Sequence, residues 1–153
     1  MSLEDDVRRL SRARPFDALP REALQLLAFS CQKRRIGAGE ALFHAGEPAS
    51  GAFFVLEGEI GLRSGETERR AAAGVLIGES ALLAETARAG DATAARDSLL
   101  LAIPRETFRR VLSEFPASAA KIQRAQATRA AALIGALDRL RQRDFAADAK
   151  RGA

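Results

Sequence analysis

Three residues within IGESALLAETARAGDATAA, residues 77–95, have the types and spacing that suit anion binding. They are Gly78, Glu79 and, ten positions after the glycine, Arg88. A guanidinium forms two parallel hydrogen bonds with a phosphate, a carboxylate accepts a hydrogen bond from a sugar hydroxyl, and a glycine lets the backbone come close to a ligand. The same residues also suit a polar loop in which Glu79 and Arg88 form only a surface ion pair. The segment by itself leaves both interpretations open.

The chain has few residues that could catalyse a reaction or bind a metal ion. There is one histidine, His44, in a predicted turn, and one cysteine, Cys31. Metalloenzymes need several histidine and carboxylate ligands, and nucleophilic catalysis needs a base beside the nucleophile. No such pair and no Walker-type loop is evident. We therefore expect no enzyme activity, no metal and no other cofactor, with Cys31 a small core residue and His44 a surface residue.

The composition is that of a folded, mildly basic protein. The chain has 153 residues, of which 47% are hydrophobic and 29% charged, and its net charge is +4. The clusters Lys33-Arg34-Arg35 and Arg139, Arg141, Arg143 are too short to indicate a nucleic-acid-binding tail, so we expect them to be solvated surface. The acidic first residues and the lack of a run of about 18 apolar residues predict no signal peptide and no membrane span. The single cysteine excludes an internal disulfide, so we expect a reducing, cytoplasmic location.

Residues 31–103 have the pattern of an all-β domain. Short apolar segments alternate with glycines, which is typical of a β-sandwich or barrel, and the glycines are expected to supply positive φ in tight turns. The segments are 41–43, 53–56, 59–62, 75–77 and 99–103, and the glycines are Gly37, Gly39, Gly46, Gly51, Gly58, Gly61, Gly65, Gly74, Gly78 and Gly90.

Helical patterns flank this region on both sides. Residues 3–10 and 21–29 precede it, and 105–113 follow it. Pro116 then restarts the chain, and residues 117–143 predict one long helix, after which 144–153 are expected to be frayed.

The long helix carries a repeat with the spacing of a coiled-coil seam. Its members alternate at steps of four and three, and they are Gln126, Ala130, Leu133, Leu137 and Leu140. This spacing predicts a homodimer through the C-terminal helix. The alternative is a helix packed on its own barrel.

Four motifs in order resemble the cyclic-nucleotide-binding domain family. They are residues 36–48 (IGAGEALFHAGEP), 53–60 (FFVLEGEI), the cassette at 77–91 and 103–108 (IPRETF). The resemblance runs from about residue 15 to 140. It implies a mainly β fold with flanking helices, an eight-stranded double-stranded β-helix or jelly roll. The expected organisation is an N-terminal helical segment at 1–30, the jelly roll at 31–103, C-terminal helices at 104–143 and a tail at 144–153.

The resemblance also implies roles for the cassette residues. Arg88 would bind the cyclic phosphate and Glu79 the ribose 2′-hydroxyl, while the amides of Ser80, Ala81 and Ala89 complete the cradle beside Gly78. The ligand would be cAMP or cGMP, and the sequence does not decide between them. Family members act as sensors in signal transduction, so we expect ligand occupancy to be relayed through the C-terminal helix to an unknown protein partner.

Ala87, Gly90 and Asp91 depart from the family pattern, which often has proline, alanine and threonine there. If residues 88–91 are a strand, Asp91 lies on the same face as Ala89 and faces the pocket. A carboxylate about 4 Å from a phosphate would weaken binding by roughly 1 to 4 kcal/mol. Asp91 would escape this penalty by turning to solvent or by pairing with Arg88.

Two other functions compete with the sensor. A degenerate domain without ligand would serve as a dimerisation or docking module, which Asp91 and Ala87 favour and intact Glu79 and Arg88 oppose. A DNA-binding regulator of this family carries a helix-turn-helix after the long helix, and this sequence has no room for one, so we expect no DNA binding. Gln123, Gln126 and Thr128 are polar candidates for contacts with the base, but an exposed helix face is the simpler explanation for each of them.

Overall fold

A computed structural model describes residues 2–151, and their side chains through residue 143. The helices are α1 (Leu3–Leu10), α2 (Arg21–Ser30), α3 (Arg105–Glu114) and α4 (Pro116–Arg151), with 3₁₀ turns at Phe16–Ala18 and Glu79–Leu82. The strands are β1 (Gln32–Ile36), β2 (Ala41–Phe43), β3 (Pro48–Ala49), β4 (Gly51–Glu57), β5 (Glu59–Ser64), β6 (Thr67–Ala72), β7 (Leu76–Ile77), β8 (Thr86–Ala87), β9 (Asp91–Ala94) and β10 (Ser98–Pro104). The chain divides after Ser118 into two compact units.

Eight of the strands form two antiparallel four-stranded sheets. One sheet has the order β1-β10-β4-β7 and the other the order β2-β9-β5-β6. The remaining two strands, β3 and β8, pair in a short ribbon that leads into residue 88. This is the eight-stranded jelly roll with flanking helices that the sequence predicted, so the predicted fold is confirmed.

The core lies between the inner faces of the sheets. Val55, Ile60 and Leu100 are fully buried there, with Ile77 and Ala92 beside them. Fully burying a side chain of this size contributes about 1.5–3 kcal/mol. Strand β4 is buried over most of its length, which explains its continuous apolar sequence.

The two charged strands β1 and β6 were missed by the sequence pattern. Their sequences, QKRRI and TERRAA, are exposed at nearly every position, so neither has the apolar alternation that marks a half-buried strand. Both strands lie at sheet edges, where charged side chains discourage pairing with other chains. Lys33, in the predicted surface cluster, pairs with the buried Asp6 at 3.1 Å.

Helix α1 begins at a side-chain cap, and α2, α3 and α4 each begin at or directly after a proline. Ser2 and Asp5 form a capping box at the start of α1. The Phe16 ring meets the Phe108 ring edge-on, with centroids 5.9 Å apart, and this contact fixes α3 to the N-terminal turn. Cys31 is buried as predicted, and burial raises the pKa of its thiol to about 12.

The last helix is longer than the sequence predicted. Residues 144–151 were expected to be frayed, but α4 continues to Arg151. The segment is rich in Ala, Lys and Arg, which favour helix, and these outweigh its two aspartates. Within α4, Leu133, Leu137 and Leu140 of the predicted repeat are exposed, and Ile134 is exposed beside them.

Glycine serves two different purposes in this fold. Six of the predicted turn glycines have positive φ: Gly39, Gly46, Gly58, Gly65, Gly74 and Gly78. Gly51 and Gly90 do not. A Cβ on either would lie 2.2 Å from a carbonyl oxygen of a neighbouring strand, so they permit close approach of two backbones.

Candidate functional site

A cavity of about 520 Å³ opens between the residue 77–91 segment and the β5–β6 hairpin. This volume falls in the usual range for small-molecule sites. Its lining residues are Phe43, Ala49, Leu62, Arg63, Ser64, Thr67, Arg69, Ile77, Gly78, Ser80, Ala81, Thr86, Ala87, Arg88, Ala89, Gly90 and Asp91.

One wall is built by a sharp turn after β7. Gly78 has φ +81°, and it turns the chain into the 3₁₀ turn Glu79–Leu82, which closes with the Ala81 N–H donating to the Gly78 carbonyl at 3.0 Å. A Cβ on Gly78 would lie only 2.6 Å from Nη1 of Arg88. The backbone conformation therefore favours glycine here, and any larger residue would also displace the Arg88 guanidinium from its observed position.

Arg88 is held in place by both its backbone and its side chain. Its N–H donates to the Glu47 carbonyl and its carbonyl accepts from the Gly46 N–H, each at 2.8 Å. Its guanidinium carbon lies 4.4 Å from the centre of the Phe43 ring and 5.5 Å from that of Phe53. Burial lowers the pKa of Arg88 and Glu47 opposes this, and the group stays cationic at neutral pH.

Asp91 lines the cavity, but its carboxylate is engaged by a neighbouring turn. Oδ1 accepts a hydrogen bond from the Ala45 N–H at 2.8 Å and lies 3.8 Å from Nδ1 of His44. Among the described residues it forms no ion pair with Arg88. Of the two arrangements that the sequence left open for Asp91, the ion pair with Arg88 is therefore not formed.

Most of the residues selected from the sequence meet at the cavity. Gly78, Ser80, Ala81, Arg88, Ala89 and Asp91 all line it. Glu79 is half-buried within the same turn and is not among the lining residues, so its contact with a sugar hydroxyl stays a prediction.

The opposite wall was missed by sequence reasoning. Leu62 pairs with Arg69 across the β5–β6 hairpin, one step along the same face from the buried pair Ile60 and Ala71. By register, Arg69 therefore occupies the inward-facing side of the sheet, and this exposed residue is part of the cavity lining. The turn at Gly65 sets the register of the hairpin and could have placed Arg69 on the inner face. This inference would have required that β6 first be recognised as a strand.

The profile of the family "Cyclic nucleotide-binding domain" matches residues 33–115. The chain belongs to this family. Among curated proteins, it is 34% identical over 122 residues to the lysophospholipase NTE1 of Chaetomium globosum. The match covers 76% of this chain but 8% of that protein, so the cyclic nucleotide-binding domain corresponds to a small part of such relatives.

Solved structures of cyclic nucleotide-binding proteins have the same fold. A cyclic nucleotide-binding-like protein from Brucella abortus is 34% identical, with a TM-score of 0.66, and the match covers 71% of this chain and 98% of that one. The regulatory domain of Toxoplasma gondii PKA, in a co-crystal with cAMP, is 25% identical with a TM-score of 0.65, covering 71% of this chain and 44% of that one.

Two further findings concern the part of the cyclic nucleotide-binding domain that the structure describes. None of its helices is both long enough and apolar enough to span a bilayer. Within the same residues, no group of three His, Cys, Asp or Glu side chains is arranged to hold a metal ion.

Proposed function

We propose that this domain is a sensor that binds a purine 3′,5′-cyclic monophosphate in the 520 Å³ cavity without transforming it. The observation that carries the proposal is the placement of Arg88. Its cation lies at the cavity wall, backed by the Phe43 ring and next to the bare Cα of Gly78. A guanidinium in this position suits a singly charged cyclic phosphate.

The neighbouring residues extend this assignment to the rest of the ligand. The backbone around Ser80, Ala81 and Ala89 borders the same space as Arg88, as the family resemblance requires for the phosphate cradle. Glu79 belongs to the same turn, and we assign it the ribose 2′-hydroxyl. Co-crystallisation of the Toxoplasma relative with cAMP supports the ligand class.

Arg69 leads us to favour cGMP over cAMP as the ligand. Guanine presents O6 and N7 as two adjacent acceptors, which a guanidinium binds in bidentate fashion, whereas adenine has an amino donor in place of O6. Arg69 faces the cavity from the hairpin wall, away from the cassette that holds the phosphate. With the phosphate and ribose assigned to the cassette, the base would lie against the β5–β6 hairpin.

Calorimetric titration with cAMP and cGMP tests the proposal. Wild-type protein should bind at least one of them, and Arg88→Ala should abolish binding and the ligand-induced rise in Tm. Arg34→Ala is the matched control, because Arg34 is exposed on β1 and does not line the cavity. Absence of heat from the wild type at millimolar ligand would contradict the sensor assignment.

A second function is favoured by two observations at the cavity. The Asp91 carboxylate lies in its lining, and Glu79 does not line it. A ligand-free docking or dimerisation module would have this arrangement. The same titration separates the two functions, since only a module would show no binding while keeping its fold.

We also propose that the domain forms a homodimer through α4 and relays ligand occupancy to a protein partner along this helix. The exposed stripe Leu133, Ile134, Leu137 and Leu140 is wide enough for a helix of a second copy. Leu133→Glu combined with Leu137→Glu should halve the mass measured by light scattering, and Arg139→Glu should not. In the relatives the matching segment is part of a protein named lysophospholipase, so a hydrolase is the first class of partner to test.

A further inference from the structure

Arg105, the first residue of α3, binds backbone oxygens from two segments that build the cavity. Its Nη1 donates to the carbonyls of Ala49 at 2.9 Å, Ala81 at 3.1 Å and Ala84 at 3.2 Å. Its backbone N–H donates to the Ser50 carbonyl at 2.8 Å. One side chain therefore connects α3 to the end of β3 and to the 3₁₀ turn of the cassette.

Two of the three carbonyls, those of Ala81 and Ala84, are at a helical end that needs a hydrogen-bond donor. Ala81 and Ala84 lie at the end of the turn Glu79–Leu82, where helical carbonyls have no partner of their own. A positive charge is favoured at this end of a helical turn. Hydrogen bonds from a charged donor are stronger than those between neutral groups, so Arg105 fixes the end of the turn more firmly than water would.

The third carbonyl, that of Ala49, connects Arg105 to the segment that carries Arg88. Ala49 pairs with Thr86 in the β3–β8 ribbon, and Pro48 pairs with Ala87, the residue before Arg88. The hydrogen bond from Arg105 to Ala49 therefore restrains the β3–β8 ribbon, and this ribbon positions the guanidinium of Arg88. The turn with Gly78 and the ribbon that leads to Arg88 are both tied to one cation.

We propose that Arg105 is a positioning residue for the ligand, one that sets the spacing between the cassette turn and Arg88. It is not among the described residues that line the cavity, so it acts through Ala49, Ala81 and Ala84 and not by contact with ligand. The proposal deepens the sensor function and rests on it for its effect on affinity. Its structural part, the restraint of the cassette, is independent of that function.

The test compares Arg105→Gln and Arg105→Lys with wild type. Arg109→Gln is the control, since Arg109 is an exposed arginine one turn further along α3. Two measurements are made on each protein: titration with cAMP and cGMP, and amide hydrogen exchange in residues 79–88. Exchange in the β5–β6 hairpin, Glu59–Ala72, serves as an internal reference because Arg105 makes no hydrogen bond to it among the described residues.

Arg105→Gln should weaken the affinity for the bound nucleotide about tenfold or more, through loss of the charged hydrogen bonds. It should also accelerate exchange in residues 79–88 and leave the hairpin unchanged. Arg105→Lys should recover part of both properties because its ammonium still reaches some of the carbonyls, and Arg109→Gln should match wild type.

Two outcomes would overturn the proposal. One is unchanged affinity together with unchanged exchange in Arg105→Gln. The other is faster exchange throughout the barrel, hairpin included, with no recovery in Arg105→Lys, which would indicate general destabilisation. Failure of wild type to bind either nucleotide would overturn the sensor function alone, and exchange in residues 79–88 of ligand-free protein would still decide the role of Arg105.

Discussion

The guanidinium of Arg88 lies over the face of the Phe43 ring, 4.4 Å from its centre. An aromatic face attracts a cation but does not neutralise it, so the charge stays available to an incoming anion. A carboxylate partner in the same place would have to be displaced by the ligand. The ring therefore orients Arg88 at the cavity wall without competing for it.

Replacing the ring tests this role of Phe43. Phe43→Leu keeps an apolar side chain but removes the cation–π contact, which is worth about 0.5–2 kcal/mol. We expect the nucleotide affinity measured by calorimetry to fall by a corresponding factor of about two to thirty. Phe53→Leu should have a smaller effect, because its ring centre is 5.5 Å from the guanidinium. Equal losses in the two variants would contradict the special role of Phe43.

Gly78 and Gly74 offer a matched pair of substitutions. Both have positive φ, so Gly78→Ala and Gly74→Ala should each lower the free energy of unfolding by about 1–2 kcal/mol. Only Gly78→Ala adds a Cβ 2.6 Å from Nη1 of Arg88, whereas no atom lies within 4 Å of a Cβ at Gly74. We expect nucleotide binding to be lost in Gly78→Ala and kept in Gly74→Ala, with stability from thermal melts and affinity from calorimetry. Intact binding in Gly78→Ala would show that Arg88 moves freely.

Removing the charge of Asp91 should tighten binding. Asp91→Asn keeps an oxygen that can accept from the Ala45 N–H, and it removes a negative charge from the cavity lining. A repulsion of about 1 kcal/mol at moderate distance corresponds to roughly fivefold in Kd. Asp91→Thr should act in the same direction. An unchanged Kd in both variants would mean that the hydrogen bond to Ala45 already keeps the charge from the ligand.

Arg69 should distinguish the two purines. Arg69→Ala is expected to weaken cGMP binding by about 1–3 kcal/mol, the contribution of one bidentate contact, and cAMP binding by less. The control is Arg70→Ala on the neighbouring, outward-facing position, where the guanidinium binds Glu59 at 2.7 Å. Parallel titrations with both nucleotides measure the difference. Equal losses for cAMP and cGMP would indicate that Arg69 contributes only charge.

Glu59 should make stability depend on pH in the acidic range. The hydrogen bond from Arg70 and the charges of Arg70 and Arg96 lower the pKa of Glu59 from its ordinary value of 4.5, despite partial desolvation. A lowered pKa stabilises the fold fully above the unfolded value, and this contribution is lost as the pH falls through the folded pKa. The difference in Tm between wild type and Glu59→Gln should therefore be largest above pH 4.5 and shrink below it. A constant difference down to strongly acidic pH would contradict this linkage.

Sequence reasoning succeeded where local pattern and fold agree. The glycine-punctuated apolar segments predicted the jelly roll, and the spacing of Gly78 and Arg88 predicted residues that line one cavity. Strand β6 failed because its outward residues are charged and its inward Arg69 is polar, so no alternation marks it. With the strand missed, the far wall of the cavity was missed as well.

Contacts between residues distant in sequence were also beyond reach. The Phe43 ring beneath Arg88 comes from the end of β2, and the Ala45 amide beside Asp91 comes from the turn that follows. The fold brings both against the cassette. Likewise, the bonds of Arg105 to Ala81 and Ala84 depend on how α3 approaches the barrel. Residue types alone indicate which groups suit an anion, but not which neighbours hold them.

The paired backbone bonds of Arg88 to residues 46 and 47 bear on how quickly a ligand is captured. With both its amide and its carbonyl engaged, this residue needs no folding step before it can receive an anion. The association rate constant should then be limited by productive collisions. Attraction between opposite charges should raise this rate constant, and added salt should lower it. The lifetime of the complex, and not its rate of formation, would set the concentration at which the domain responds.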